Sequence, residues 1–159
     1  MKFFKNKKQE PAENDFKFLD TKLIDYPAKI VLAWAKAIEG DENFTIWLSE
    51  NGYPELVMAT YAIYLKDEAR DWLMQNGFPH LMGLINAAEG NKKAQSWLLV
   101  NNFDLYFHIA LAVEDEPLSW KWIQNNAGIE IFILAKSIKL IKDKIEENHN
   151  DMHVYRKDF

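Results

Sequence analysis

The sequence predicts an all-α protein folded as a right-handed α-solenoid, an αα-superhelix of about four and a half helix-turn-helix repeats. Three observations predict this class. Tryptophan recurs every 25 residues along most of the chain. Each 25-residue unit holds two segments with helical apolar spacing, separated by residues that stop helices. No segment alternates apolar and polar residues over a useful length, as a strand would. Self-similarity at a fixed period of this size is typical of stacked helical repeats.

The repeat is visible as aligned columns of residues. The Trp column holds Trp47, Trp72, Trp97 and Trp122, and the Leu column that follows it holds Leu48, Leu73, Leu98 and Ile123. The Asn column holds Asn51, Asn76, Asn101 and Asn126, and the small column holds Ala37, Ala62, Ala87, Ala112 and Ser137. We interpret the Trp and Leu columns as core and the Asn column as helix stops. A ladder of asparagines that holds a peptide backbone is the alternative for the Asn column. The small column lets neighbouring helices approach closely.

The helices follow from start and stop signals in each unit. "PELVMATYAIYL" (54–65) opens with proline, which favours a first helical turn, and is apolar on most sides, as a buried helix is. "DEARDWLMQN" (67–76) opens with acids and ends in Asn-Gly, which favours an amphipathic second helix. The predicted units lie near 27–39, 42–64, 67–89, 92–114 and 117–147. The last helix turns polar towards its end, as a terminal cap requires.

The predicted domain organisation is one helical-repeat domain over residues 21–147. Residues 1–20 form a charged, proline-containing leader for which disorder is expected, and residues 148–159 form a polar tail.

Composition narrows the class of function. A hydrophobic share of 48% supports a substantial core. The chain has no cysteine, which excludes disulfides and thiolate chemistry. A net charge of −5 argues against nucleic acid as a partner. No apolar run has the length of a signal peptide or a membrane span, so we expect a cytoplasmic protein without membrane contact.

Two stretches resemble the middle of an ankyrin repeat. "NAAEGNKKAQSWLLVNNFD" (86–104) and "AIEGDENFTIWLSENGY" (37–53) each hold a helix end, a glycine turn and a second helix that stops at asparagine. The resemblance covers roughly residues 37–127. The units are 25 residues long rather than about 33, and they lack the β-hairpin finger and the Thr-Pro-Leu-His signature of ankyrin repeats. The resemblance implies protein–protein recognition without an active site.

Residues that depart from their columns are the candidate partner contacts. Trp120 stands where other units carry Thr45, Arg70 and Gln95, so it is a candidate exposed anchor for a partner; packing on the last helix or on the leader is the alternative. Leu111, Tyr61 and Tyr64 interrupt otherwise polar columns. They indicate an apolar stripe along one edge of the first helix of each unit, with imperfect repeat packing as the alternative.

Signals for metal binding or catalysis are weak. His149 and His153 have the i,i+4 spacing of a metal pair but lack the glutamate of a metalloprotease motif, which leaves them a weak candidate. His80 follows Pro79 in a first helical turn, and we expect it at the surface. No phosphate-binding loop, nucleophile elbow or paired buried carboxylates are recognisable, so no catalytic residue and no cofactor is assigned.

The sequence therefore predicts a non-catalytic module that binds a protein or peptide. The alternative is a helical-repeat enzyme or nucleic-acid-acting protein of the HEAT-like type. That alternative would need a basic concave face, whereas the lysines of 136–144 are diluted by neighbouring acids.

Overall fold

The computed structural model describes residues 26–157, and the side chains of residues 26–150. This part of the chain folds into nine α-helices and no strand, which confirms the all-α repeat solenoid. The helices are α1 (Ala28–Ile38), α2 (Glu42–Glu50), α3 (Pro54–Ile63), α4 (Asp67–Gln75), α5 (Pro79–Ala88), α6 (Lys92–Val100), α7 (Asp104–Val113), α8 (Pro117–Asn126) and α9 (Ile129–Lys157). The predicted leader, residues 1–20, lies outside the described residues.

The Asn column ends helices through its side chains. In each unit the asparagine Nδ2 donates to the carbonyl of the tryptophan four residues earlier, at distances from 2.7 to 2.9 Å. After Asn51, Asn76 and Asn101 the next residue takes a left-handed conformation; these residues are Gly52, Gly77 and Asn102. In the first three of these units the same carbonyl also accepts from the backbone N–H of the asparagine, so the side-chain amide is its second donor. The asparagines thus lie at the ends of α2, α4, α6 and α8 and close their last turns.

The helices form two classes, inner and outer. The inner helices are α1, α3, α5, α7 and α9, and they supply most of the core. The outer helices are α2, α4, α6 and α8, and they bury only one or two residues each. The buried residue common to all four comes from the Leu column, whose members are fully buried. Burial of such a side chain stabilises the fold by about 1.5–3 kcal/mol.

The Trp column lies at the edge of the core, and Trp72 and Trp122 pack against it. Trp47 and Trp97 are 39% and 36% exposed, and Trp72 and Trp122 are half-buried. The outer helices make no substantial contact with one another in the described chain. A residue next to the buried leucine on a helix points about 100° away from it, towards the gap between outer helices. The tryptophans therefore lie against their own hairpin, and Trp72 and Trp97 also stack on Phe78 and Phe103, which precede the next inner helix.

The inner helices close into a ring. Each contacts the next one along the chain, and α9 packs on α1 in the most extensive helix–helix contact of the described residues. The Ser137 hydroxyl donates to Oε1 of Glu39 at 2.7 Å across this junction. The small column is buried throughout the ring, which allows the close approach that the sequence predicts. The repeat array thus closes on itself after five inner helices.

The ring has two ends, which the inner helices define by their direction. We call the end where α1, α3, α5 and α7 terminate the C-terminal rim, and the opposite end the N-terminal rim. Helix α9 passes the C-terminal rim and continues to Lys157, through the segment from residue 148 that the sequence predicts as a polar tail. No glycine or proline interrupts it after Gly128, and Lys139 pairs with Asp143 at 3.0 Å along its surface.

None of the helices in the described chain has the length and apolarity needed to cross a membrane.

The Leu column provides a direct test of the packing. Leu73 is fully buried, so we expect Leu73→Ala to lower the free energy of unfolding by about 2–5 kcal/mol. The neighbouring Met74 is 58% exposed, and Met74→Ala should change this free energy by less than about 0.5 kcal/mol. Urea unfolding followed by circular dichroism measures both. Equal losses for the two variants would contradict the assignment of inner and outer faces.

Ring closure predicts uniform protection of the inner helices. In an open array the terminal units open first, because each has a neighbour on one side only. Here α1 and the part of α9 before residue 142 have neighbours on both sides. Their amides should exchange with deuterium as slowly as those of α3, α5 and α7. Amides of α1 that exchange a hundred times faster than those of α5 would show that the ring is open in solution.

Candidate functional site: two hairpin grooves

Two open grooves lie between an inner and an outer helix of the first two hairpins. Hairpin groove 1, between α1 and α2, has a volume of about 320 Å³ and is lined by Lys29, Ala33, Asn43, Phe44 and Trp47. Hairpin groove 2, between α3 and α4, has a volume of about 440 Å³ and is lined by Met58, Tyr61, Lys66, Glu68, Ala69 and Trp72. Ala33 and Met58 are equivalent positions of the repeat, as are Trp47 and Trp72. The same structural position therefore forms a groove twice.

The third and fourth hairpins differ at this position. In the third, the equivalent residue is Gly83, and a Cβ placed there would lie 3.2 Å from the Trp97 ring. Trp97 thus lies directly against the backbone of α5. In the fourth, the His108 ring stacks on Trp122 with a centroid distance of 4.0 Å. A close-packed tryptophan thus occupies this position in both hairpins.

Hydrogen bonding and burial fix the state of His108. Its Nδ1 lies 3.1 Å from the Ser119 hydroxyl. Burial lowers the pKa of the His108 imidazole, and the nearby Asp104 carboxylate opposes this only in part. The ring is therefore neutral near pH 7, as a stacked packing element.

Charge divides the outer helices into two groups. Helices α2 and α4 present five exposed carboxylates, those of Glu42, Glu50, Asp67, Glu68 and Asp71. Their single cation, Arg70, is turned towards α5, where it pairs with Glu89 and donates to the Ala62 carbonyl at 3.0 Å. Helices α6 and α8 have no carboxylate, and they expose Lys92, Lys93 and Lys121. The hairpin grooves therefore lie beside the two acidic outer helices, and each lining also contains one lysine, Lys29 in hairpin groove 1 and Lys66 in hairpin groove 2.

The predicted apolar stripe is only partly assembled. Tyr61 is 43% exposed and forms one wall of hairpin groove 2. Tyr64 is also exposed, but its hydroxyl donates to the Ile38 carbonyl at 2.7 Å, which ties α3 to α1. Leu111 is half-buried on α7 and lines neither hairpin groove. Of these three candidates, the structure places only Tyr61 in an open groove.

Trp120 packs on the last helix, which is one of the two interpretations that the sequence leaves open. Its ring is half-buried and meets Phe132 of α9 edge to face at 5.3 Å. The ammonium of Lys136, which lies on α9 like Phe132, is 4.7 Å from the centroid of the Trp120 ring. These contacts join α8 to α9, where the last inner helix needs a large side chain to cover it. Packing on the last helix, the alternative for Trp120, is what the structure shows.

The histidine pair lies at the edge of the described residues. His149 is exposed on α9, and the side chain of His153 lies outside the described part. Among the described residues, no group of three or more histidine, aspartate or glutamate side chains is arranged to hold a metal ion.

A buried polar cluster near the N-terminal rim was missed by the sequence analysis. The Tyr26 hydroxyl donates to Oε1 of Glu55 at 2.6 Å, and Glu55 is 9% exposed. His80 is 1% exposed, with its ring 5.8 Å from that of Phe103 and 6.4 Å from that of Tyr106. The expectation of a surface His80 is therefore wrong, because the first turns of the inner helices face the ring interior. The repeat itself contained the signal: Glu55 and His80 occupy the same column as Ile30, and an isoleucine in that column indicates a buried position.

Burial keeps the tyrosines of this cluster neutral. Burial, with the hydrogen bond and negative charge of Glu55 in second place, raises the pKa of Tyr26 far above its usual value. Burial likewise raises the pKa of Tyr106, and the charge of Glu55 adds to the effect. The Tyr106 hydroxyl has no hydrogen-bond partner among the described residues. The cluster thus holds one tyrosine as a donor to a carboxylate and a second one in apolar surroundings.

Comparison with known proteins gave no match to any family model, to any curated protein or to any solved structure.

The raised tyrosine pKa values predict a loss of stability in alkali. Tyrosine ionises near pH 10 when the chain is unfolded, whereas folded Tyr26 and Tyr106 keep their protons to higher pH. Their contribution is therefore complete below about pH 10 and is lost as the pH rises above it. In urea titrations from pH 8 to 11, Tyr106→Phe should lose less stability than the wild type. At pH 7 the variant should be at least as stable, because it removes a buried hydroxyl without a partner. Identical alkaline losses would contradict this account.

Proposed function

We propose that the protein is a non-catalytic binding module whose two hairpin grooves bind a basic segment of a partner protein. The observation that carries the proposal is the repetition of an open, tryptophan-lined groove on the two hairpins whose outer helices are acidic. Stacked repeats commonly bind partners through surfaces built from equivalent positions, with specificity supplied by the residues that differ. The resemblance to ankyrin repeats supports the same class of function.

Aromatic and acidic groups together favour lysine and arginine as ligands. A cation over the face of tryptophan gains about 0.5–2 kcal/mol, more when water is excluded. In hairpin groove 2 the ring of Trp72 is stacked on Phe78 with an interplanar angle of 7°, which holds its orientation. Glu68 lines the same groove and is exposed, so a guanidinium between ring and carboxylate would contact both. In hairpin groove 1 the equivalent ring is Trp47, and Asn43 stands at the position of Glu68, so there the ligand contacts an aromatic ring and an amide.

The repeat places two equivalent binding points on adjacent hairpins. Packed inner helices lie about 8–10 Å apart, and points on the outer side of the ring are farther apart, because the outer helices of the described chain do not pack on one another. An extended chain advances about 3.3 Å per residue, so more than three residues of the ligand separate the two bound side chains. The preferred ligand is an extended segment rich in arginine and lysine.

The test is binding of a labelled arginine-rich peptide, measured by fluorescence polarisation. We expect Trp72→Ala to weaken binding at least ten-fold, because it removes a wall of the groove. As a separate variant, Glu68→Lys should weaken binding more than Trp72→Ala does at low salt, because it replaces an attractive charge by a repulsive one. Trp97→Ala is the matched control, since Trp97 belongs to the same column but lies against Gly83 away from the carboxylates of α2 and α4. Circular dichroism checks that each variant is folded.

Two results would contradict the proposal. One is equal loss of affinity in Trp72→Ala and Trp97→Ala. The other is equal binding of a peptide in which every arginine is replaced by glutamate. Retention on heparin that depends on Lys92 and Lys93 would instead support an acidic polymer as the partner.

A further inference from the structure

A half-enclosed apolar cavity opens at the C-terminal rim, between the ends of α3 and α5 and the side of α9. We call it the rim pocket; its volume is about 110 Å³. Its lining consists of Ile63, Leu65, Ile85, Ala88, Glu89, Ile138, Lys142, Ile145 and Glu146. Most of this surface is aliphatic, and it faces the outside of the ring beside the projecting part of α9.

The positive φ of Leu65, one of the lining residues of the rim pocket, indicates that this residue serves a purpose other than folding. In the repeat, Leu65 occupies the turn position after an inner helix, which elsewhere holds Gly40, Gly90 and Asp115. All four residues have positive φ, with 65° at Leu65. Glycine takes this conformation freely and aspartate tolerates it, but a large side chain such as leucine is disfavoured there.

Burial does not explain the choice of leucine. The Leu65 side chain is 50% exposed, so about half of its apolar surface gains nothing from folding. A strained residue kept at an exposed position is characteristic of functional sites rather than of the core. Here the exposed leucine is one wall of the rim pocket.

Size and charge define what the rim pocket can hold. An apolar cavity of about 150 Å³ accepts a molecule as large as benzene, so one of 110 Å³ suits a branched aliphatic group of roughly four carbon atoms. The Lys142 ammonium is already in contact with Glu114. Glu89 is paired with Arg70, and the Glu146 carboxylate, 63% exposed, lies 3.8 Å from Lys142. Lys142 is thus shared by two carboxylates, which leaves net negative charge at the edge of the rim pocket.

We propose that the rim pocket binds one leucine-like side chain of a protein partner, with an adjacent lysine or arginine of the partner pairing with Glu146. This inference rests on the proposed function, since it assigns a second contact to the same kind of partner. Leu65 is followed directly by Lys66, which lines hairpin groove 2, so the linings of the two sites are adjacent in the chain.

The test uses N-acetyl-leucyl-lysine amide as a probe, with methyl-labelled protein observed by NMR. Millimolar concentrations should shift the methyl signals of Ile63, Leu65, Ile85 and Ile138, because so small a ligand binds weakly. N-acetyl-alanyl-lysine amide should shift them at least five-fold less. N-acetyl-leucyl-glutamate amide should bind more weakly than the lysine probe, and Glu146→Gln should reduce that difference.

Leu65→Gly separates binding from folding. We expect it to weaken binding of the leucine probe at least five-fold while Tm stays within about 4 °C of the wild type, since relief of the left-handed strain offsets the lost contact. Leu99→Ala is the matched control, because Leu99 is also 50% exposed but lies on α6, and it should leave binding unchanged.

Several results would overturn the proposal. The first is unchanged probe affinity in Leu65→Gly, and the second is shifts scattered over the molecule. The third is a dimer in analytical ultracentrifugation that Leu65→Gly converts to a monomer, which would assign the pocket to a second copy of the chain. If Trp72→Ala loses binding of the arginine peptide but keeps the leucine-probe shifts, the proposal for the rim pocket stands. Retained binding of the arginine peptide without leucine-probe shifts would refute the proposal for the rim pocket and leave the proposed function intact.

Discussion

The packing of α9 against α1 is the contact on which the rest of the architecture depends. It turns a linear array of hairpins into a ring, so every inner helix has a neighbour on both sides. Small side chains make this possible: Ala35, Ala37 and Ala135 are fully or almost fully buried, and Ser137 adds the hydrogen bond to Glu39. With the inner helices buried against one another, binding surfaces are left on the outer hairpins and on the two rims. Both proposed sites lie there.

Ion pairs at the C-terminal rim compensate for unfavourable charge at the helix ends. A carboxylate near the C-terminus of a helix is opposed by the helix dipole. The chain nevertheless places Glu89, Glu114 and Asp115 there, and each pairs with a cation from a different helix: Arg70, Lys142 and Lys139 respectively. Lys139 holds the pKa of the Asp115 carboxyl below its usual value. Because such pairs cross between helices, they also specify which helices are neighbours, and two of them attach α9 to the end of α7.

Sequence reasoning predicts what is local and periodic. The helices, their order, the asparagine stops and the close approach at the small column all follow from residues within one unit or one period. The contacts that it misses join distant parts of the chain. Ring closure joins residues about 100 positions apart, and no pattern within a 25-residue unit states the angle between units. The partial exposure of the tryptophans does not follow from the sequence, because a large aromatic residue in a regular column is typical of a core. Here the outer helices stand too far apart to cover one another. Of the partner-binding candidates, Tyr61 lines a groove whereas Trp120 packs on α9, a distinction set by the position of the last helix.

The closed ring also bears on how such a protein can change over evolutionary time. Open solenoids lengthen or shorten by whole units, since each added unit stacks on an end that remains available. In a ring of five inner helices each unit turns the chain by one fifth of a circle, and no free end is left for a sixth. A duplicated or deleted hairpin would separate α1 from α9 and expose the apolar faces of both. A change in the number of units is therefore disfavoured, and variation is expected at individual columns, where residues such as Leu65 and Gly83 already differ from their equivalents in other units.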